Sequence, residues 1–380
     1  MAEYLTNTND LTLVADAIRT KGGTTELLTY PDEFVTAIQA IQTGTKLQII
    51  VTVTSGATVT ATKGSLSVSG TSVNGTCTLT VPEAGEWTVS ATLGGQTSNS
   101  NIVNVVSSYD TSLAFISTTL NDNSWEAIRG ISDAGQGANY WSIGDRKEVT
   151  LNGTVGHLSL SNYTTYAFII GFNHNASVEG TNRIHFQLAK TALSGGTDVC
   201  FCDNQYAPDS GWSSPGAGYF VMNESNTNSG GWKSSQMRTN ICGTSLSSYS
   251  GTIIAVIPAA LRAVLKSVTK YTDNTGNKST AASAVTATID YFFLLSEFEV
   301  FGSISYANSN ESSKQAQYAY YSAGNSKIKY KHNGTSTAAI WWLRSPRASN
   351  SYYFVFVRAD GTVNYTGARS SIGFAPGFCV

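Results

Sequence analysis

From Leu47 onward the apolar residues of this chain fall on every second position, and that period restricts what the region can become. Leu47, Ile49, Val51 and Val53 alternate with polar partners, as do Val59/Ala61, Leu66/Val68, Leu79/Val81 and Trp87/Val89/Ala91/Leu93. Successive side chains of a strand point to opposite faces, so each run has one face for a core and one for water. Turn-forming residues separate the runs at Ser55-Gly56, Lys63-Gly64, Asn74-Gly75, Glu83-Ala84-Gly85 and Gly94-Gly95. Short strands at this spacing predict a β-sandwich over residues 45–107. Ser107-Ser108-Tyr109 is expected to open the next unit.

Ahead of the strands, residues 1–44 carry a helical period. Leu11, Val14, Ala15 and Ile18 recur at helical spacing behind the capping candidates Asn9 and Asp10, and Gly22-Gly23 ends the run. Pro31 fits a first helical turn, Asp32 and Glu33 suit its positive end, and Phe34, Ile38 and Ile41 form a stripe before Gly44. Two helices this short need a surface to dock on. Residues 108–380 read as one mixed α/β domain. Tyr166–Ile170, Ile253–Ile257 and Tyr291–Leu295 are expected as buried strands. Pro258 is expected to open a helix burying Leu261, Val264, Leu265 and Val268, with Arg262 and Lys266 outside.

Charged residues make up only 13% of the 380-residue chain, against about 25% in ordinary soluble domains. Hydroxyls and amides supply the solubility instead. The charge is also uneven: residues 1–44 hold six acids against two bases, and residues 301–380 hold eight bases against two acids. The bases are dispersed and form no basic helix, so nucleic acid is not an expected partner. Five cysteines make an odd set that fits reduced thiols, and Cys200-Phe201-Cys202 lacks the second close pair of a zinc clamp. Met1-Ala2-Glu3-Tyr4 lacks the basic start of an export signal, and no apolar run reaches the ~20 residues that span a bilayer. No membrane insertion and no cofactor are expected.

The last forty residues have a composition suited to recognition. Trp341-Trp342 supply a hydrophobic anchor, and Tyr, Asn, Ser and Arg follow, a mixture of stiff amphipathic rings and adaptable hydrogen-bonding groups. Asp360-Gly361 predicts a hairpin turn between strands carrying Val355, Val357 and Val363. With the valines inward, alternation sends Tyr352, Phe354, Phe356 and Arg358 to the opposite, solvent face, unless Phe354 and Phe356 pack beneath a loop or a neighbouring subunit. The candidate ligand-binding residues are therefore Arg347, Asn350, Tyr352, Tyr353, Phe354, Phe356, Arg358, Asn364, Tyr365, Arg369 and Ser370. Trp341 and Trp342 are expected as core and rim, and Arg344 as an anchor to backbone carbonyls. Asp360 is the one acid of this tract, which argues against a calcium site there.

Three segments carry resemblances. Val14-Ala15-Asp16-Ala17-Ile18-Arg19, Lys21-Gly22-Gly23 and Tyr30-Pro31 through Ala37-Ile38 resemble an N-terminal segment of tail and baseplate proteins of phages that infect Gram-positive bacteria. The strands of residues 45–107 resemble the immunoglobulin-like and carboxypeptidase-regulatory-like spacer modules of surface proteins. Gly231 through Arg238, Asp290 through Gly302, Trp341-Trp342-Leu343-Arg344-Ser345-Pro346, Asp360-Gly361 and Gly373 through Phe378 resemble a domain of formally unknown function common in Firmicutes and their phages. That domain is in turn similar to the C-type-lectin-like fold of variable proteins diversified by retroelements. Phe374-Ala375-Pro376 departs from the Arg-Pro-Ala that usually ends the phrase.

These resemblances imply an α+β multidomain chain: a helical tail-attachment hairpin over residues 1–44, an Ig-like spacer over 45–107 and a C-type-lectin-like ligand-binding domain over 108–380. They imply a receptor-binding protein of a phage tail, made in the bacterial cytoplasm and released by lysis. Its partners would be a host surface protein or glycan, other tail proteins through residues 1–44, and further copies of itself, as in a trimer. A bacterial adhesin of the same fold and a cell-wall glycan depolymerase are the alternatives. Catalysis is not expected. His157, His174, His185 and His332 are scattered, and no spacing singles out a pair among Asp198, Asp203, Asp209 and Glu224. Formylglycine-generating enzymes, distant relatives of the lectin-like group, use a cysteine pair that Cys379 alone does not reproduce.

Overall fold

In a computed structural model of the protein, residues 8–22, 27–29, 33–35, 37, 46–113, 115–208 and 214–380 are described. They belong to two units, Met1–Phe115 and Ile116–Val380, and the chain is a mixed α+β protein built mainly of sheets.

In the first unit a helix spans Thr8–Gly22. Ala15 and Ile18 are buried with Phe34, whereas Val14, expected on the same stripe, is exposed. Residues 33–35 and 37 are helical. Pro31, Ile38, Ile41 and Gly44 lie outside the described residues, so the expected second helix is seen only in this fragment.

Eight strands follow: β1 (Gln48–Thr52), β2 (Thr58–Lys63), β3 (Leu66–Thr71), β4 (Thr76–Thr80), β5 (Gly85–Leu93), β6 (Gln96–Thr97), β7 (Asn101–Val105) and β8 (Ser108–Ser112). They form two sheets, β4-β1-β8 and β3-β2-β5-β6, with β7 added to β5. The alternating residues close on one apolar core: Ile49, Val51 and Leu79 from one sheet, Val59, Ala61, Trp87, Val89 and Ala91 from the other. Asn74 and Gly75 both adopt left-handed backbone (φ 51° and 83°), the conformation that a tight hairpin turn demands and that this pair accommodates. The unit extends beyond residue 107. Ser108–Ser112 pairs in parallel with β1, so Ser107-Ser108-Tyr109 leads into the last strand of this unit and not the first of the next.

The second unit is organised around a five-stranded sheet of order β15-β21-β11-β10-β9. Its strands are β9 (Arg146–Val155), β10 (Leu158–Phe172), β11 (Ile184–Lys190), β15 (Phe292–Phe293) and β21 (Gly377–Cys379). β11 is buried along its whole length, as a central strand covered on both faces must be. A helix at Trp125–Asp133, capped by Ser124, contributes Trp125, Ile128 and Ile131 to the same core. Three smaller sheets complete the unit: β13 (Val268–Asp273) with β14 (Val285–Asp290), β12 (Val199–Cys200) with β16 (Lys329–Lys331) and β17 (Gly334–Ala339), and β18 (Trp341–Pro346) with β19 (Tyr353–Val357) and β20 (Val363–Gly367).

Two local expectations change. Ile253–Val256 is a helical turn and not a strand. Arg262 donates to the carbonyls of Ile254, Ala255 and Ile257 at 2.8–3.1 Å, satisfying groups that a strand would have paired in a ladder. The helix after Pro258 stops at Val264, so Val268 enters β13 and Arg262 is a buried-side cap in place of a solvent-facing charge. Phe292–Leu295 is buried as expected and leads into a helix at Glu297–Phe301. Ser296 and Glu299 form its capping box, and Gly302 ends it at φ 69°.

Candidate functional site

The C-terminal tract forms the β18-β19-β20 sheet, and the Asp360-Gly361 turn is present, with Arg358 N donating to Thr362 O at 2.7 Å. β18 and most of β19 are buried on both faces, whereas Val363–Thr366 of β20 are half-buried. Val355 and Val357 are inaccessible, and so are Phe354 and Phe356 at 0% and 1% exposure. Phe354 and Phe356 meet Trp342 edge-on at 6.5 Å, Trp342 being the direct cross-strand partner of Phe356. Phe354 and Phe356 are therefore core residues, and the expected solvent-facing row of rings does not form. Ser370 is likewise buried.

What remains accessible is a corner at the end of the sheet. Tyr353 and Tyr365 lie on one face of adjacent strands and stack at 5.3 Å with an interplanar angle of 23°. Tyr306 meets Tyr365 edge-on at 4.9 Å. The Arg347 guanidinium lies 3.4 Å from the Tyr365 centroid and 5.8 Å from those of Tyr306 and Tyr353, a cation held by ring faces. Its Nε is buried without a hydrogen-bond partner. Tyr352 is 51% exposed beside Tyr353. Arg347, Asn350, Tyr353, Arg358, Asn364, Tyr365 and Arg369 are all half-buried. Tyr306, the partner of this corner, carried no sequence signal because it lies 41 residues before Arg347.

The loop that carries these groups is fixed from beneath by Asn228, which is fully buried. Its Nδ2 donates to the carbonyls of Asn350 (2.7 Å), Tyr353 (2.9 Å) and Arg347 (3.3 Å), and its backbone N–H donates to Ser351 O at 2.8 Å.

Behind the sheet lies a group of buried charges. Arg344 anchors to the Leu294 carbonyl at 2.8 Å, as expected, and also grips Glu299 through two nitrogens at 2.5 and 2.8 Å. Lys270 donates to Glu179 (2.7 Å), Glu299 (3.0 Å) and the Tyr318 hydroxyl (2.7 Å). His174 stacks on Tyr318 at 3.7 Å, and His185 Nδ1 sits 3.2 Å from the Tyr318 oxygen and 3.3 Å from Cys379 Sγ. Burial pushes Glu179 up to about 7 even beside Lys270, and pushes His174 down to about 3. Burial also opposes ionisation of Glu299, but Arg344 and Lys270 outweigh it and hold that carboxyl well below its ordinary value.

Donor atoms of His174, Glu179 and Glu299 lie within 4.8 Å of one another, a spacing that could hold a metal ion. The Lys270 ammonium, however, already bridges both carboxylates, which is the coordination a cation would otherwise take. A readable signal existed: in β13 the inward positions are Val268, Lys270 and Thr272, so a lysine stands where alternation calls for an apolar residue.

The other candidates are structurally engaged. Asp198 pairs with Lys190, and Asp203 accepts from Ser371 Oγ and from Phe220 N at 2.6 Å. Glu224 is exposed, and Asp209 lies outside the described residues. Cys200 and Cys202 are buried with their sulfurs 3.9 Å apart, and all five cysteines are free thiols. No helix among the described residues is long and apolar enough to cross a membrane.

Residues 218–380, under half of the chain, match the family described as a domain of unknown function (DUF6273). No curated protein matches the chain.

Proposed function

We propose that the protein is a recognition component of a phage or prophage tail that binds a ligand on the host surface through the tyrosine corner of its second unit. The observation that carries this reading is the assembly of Tyr352, Tyr353, Tyr365, Tyr306 and Arg347 at the accessible end of a sheet whose interior is rigidly packed. Tyrosines on a fixed scaffold give contact area at little cost in side-chain entropy. The fold class finer than mixed α+β belongs to the same reading: an immunoglobulin-like spacer, a C-type-lectin-like binding domain and an N-terminal attachment segment. Trimeric assembly and placement in the virion follow from it. Weak single sites would gain avidity of ~10²–10⁴ when several copies engage one surface.

A depolymerase would need two carboxylates beside an open cleft. Asp198 and Asp203 are tied into the fold, as are Glu179 and Glu299, which favours binding over bond cleavage.

The test is a binding assay of the purified chain on Gram-positive cells, with a Tyr353→Ala/Tyr365→Ala double variant beside the parent. The expected result is loss of cell binding by a variant that still unfolds cooperatively, with a modest drop in melting temperature from the lost ring stack. Undiminished binding by the double variant would remove the corner from the function. Sequencing of the gene from Trp341 onward across one growing population then separates a diversified surface from a fixed one. Substitutions concentrated at Asn350, Tyr352, Tyr353, Asn364 and Tyr365 mark the former.

A further inference from the structure

A second polar site lies in the second unit and shares no residue with the tyrosine corner. A cleft of about 420 Å³ opens between the Trp125–Asp133 helix, the loop before β11, the loop before β13 and Tyr291. Three cations converge on it, Arg129, Arg183 and Lys266, against one acid, Asp133. That acid is already shared: Asp133 meets Arg129 Nε at 2.8 Å and Lys266 Nζ at 2.6 Å. Arg129 further donates to Val264 O, and Lys266 to Ser132 Oγ and Asn182 O.

Arg183 differs from both. Its Nε and Nη1 are buried and have no hydrogen-bond partner. The side chain folds back over Gly180, where a Cβ would stand 3.0 Å from Nε, so the backbone leaves room for the guanidinium at this point. Buried N–H groups of a charged side chain are costly to leave unpaired. The cations also feel each other. Burial depresses Lys266, and Arg129 and Arg183 add to that depression against the pull of Asp133.

We infer that this cleft binds a phosphoryl group, carried by free phosphate or by a small phosphate ester, with Arg183 as its main ligand. The charge matches: three cations less one acid leave an excess of two, and a phosphate near neutral pH carries about −1.5 to −2. A guanidinium can offer its donors as a fork suited to two oxygens of one anion, which here requires Arg183 to turn its buried Nε or Nη1 from Gly180 toward the cleft. Hydroxyls of Thr181, Ser267 and Tyr291 line the same cleft and can serve the remaining oxygen.

Calorimetric titration of the full chain tests this at pH 7.5 and constant ionic strength, with inorganic phosphate and glycerol 1-phosphate as separate probes and chloride as the balancing ion. Saturable binding of at least one probe is expected, weakened by about tenfold or more in Arg183→Gln. Tighter binding of the ester identifies an esterified ligand, and equal or tighter binding of free phosphate identifies the anion itself. Because Arg183 has unpaired groups, Arg183→Gln is expected to melt no lower than the parent in phosphate-free buffer. Should that variant fail to fold, Arg183→Lys keeps the charge and removes the fork, and it must still weaken binding. No saturation with either probe, or an affinity indifferent to Arg183, overturns the proposal.

Discussion

The cores of the two units reach the same degree of burial, but the second encloses an ionic centre within its apolar cluster. In the first, Ile49, Val51, Val59, Val89 and Trp87 exclude water with apolar surface alone. In the second, Lys270, Arg344, Glu179, Glu299 and Glu311 are as inaccessible as the phenylalanines around them. An apolar core is specified by shape and area and tolerates relaxation around a deletion. An ionic one is specified by pairing, and each member depends on the presence of the others. The difference teaches that burial alone does not say how a site responds to substitution.

Breaking the pairing should give the largest effect. Glu299→Gln leaves Arg344 without its paired carboxylate and Lys270 with Glu179 alone, and a loss of about 3–5 kcal/mol is expected for the second unit. Urea denaturation followed by the fluorescence of Trp232, Trp341 and Trp342 reports it, and a loss below about 1 kcal/mol would refute the coupling. In the apolar core, Ile49→Ala should cost about 2–4 kcal/mol through lost burial and the cavity left behind. A cost as small as a surface substitution would mean the sandwich is looser than its packing implies.

Protonation sharpens the same contrast. Burial raises Glu311 from 4.5 to about 7, so between those values the folded state keeps a proton that the unfolded state releases. Its contribution to stability is therefore full below about pH 4.5 and declines as pH rises through 7. Glu311→Gln removes this term. The stability advantage of the parent over the variant should shrink by about 1–3 kcal/mol between pH 4.5 and 7.5, and a constant difference would show that Glu311 ionises normally. The smallest effect is expected at the corner: Tyr352→Ala, at a half-exposed ring, should stay within about 0.5 kcal/mol of the parent in thermal unfolding.

The two cores also differ in how much of them could be read from the chain. The sandwich was legible because one face of each strand is wet, and a period of two then labels Ile49, Val51, Val59 and Ala61 without ambiguity. Its boundary was misplaced because Ser108–Ser112 has no buried apolar residue, its one ring, Tyr109, being exposed, and it joins the sheet chiefly through its backbone. In the second unit, Arg344 and the two tryptophans were legible from size and context. Phe354 and Phe356 were not, because a strand buried on both sides has no alternation to read. Ile253–Val256 failed for another reason: its β-branched residues suggested a strand, but Arg262, a few residues on, takes the Ile254, Ala255 and Ile257 carbonyls. The ionic centre joins Glu179, Lys270, Glu299 and Arg344 across more than 160 positions, a separation that no local pattern encodes.

Asn228 grips the loop from Arg347 to Tyr353 only by main-chain atoms. A clamp of that kind is blind to side-chain identity. Ser351 and Tyr352 can be exchanged without touching the clamp, whereas Asn350 also shapes the loop by accepting from Tyr352 N at 2.7 Å. The fold thus separates holding from displaying: one buried amide sets the frame, and the clamp itself places no demand on the side chains it frames.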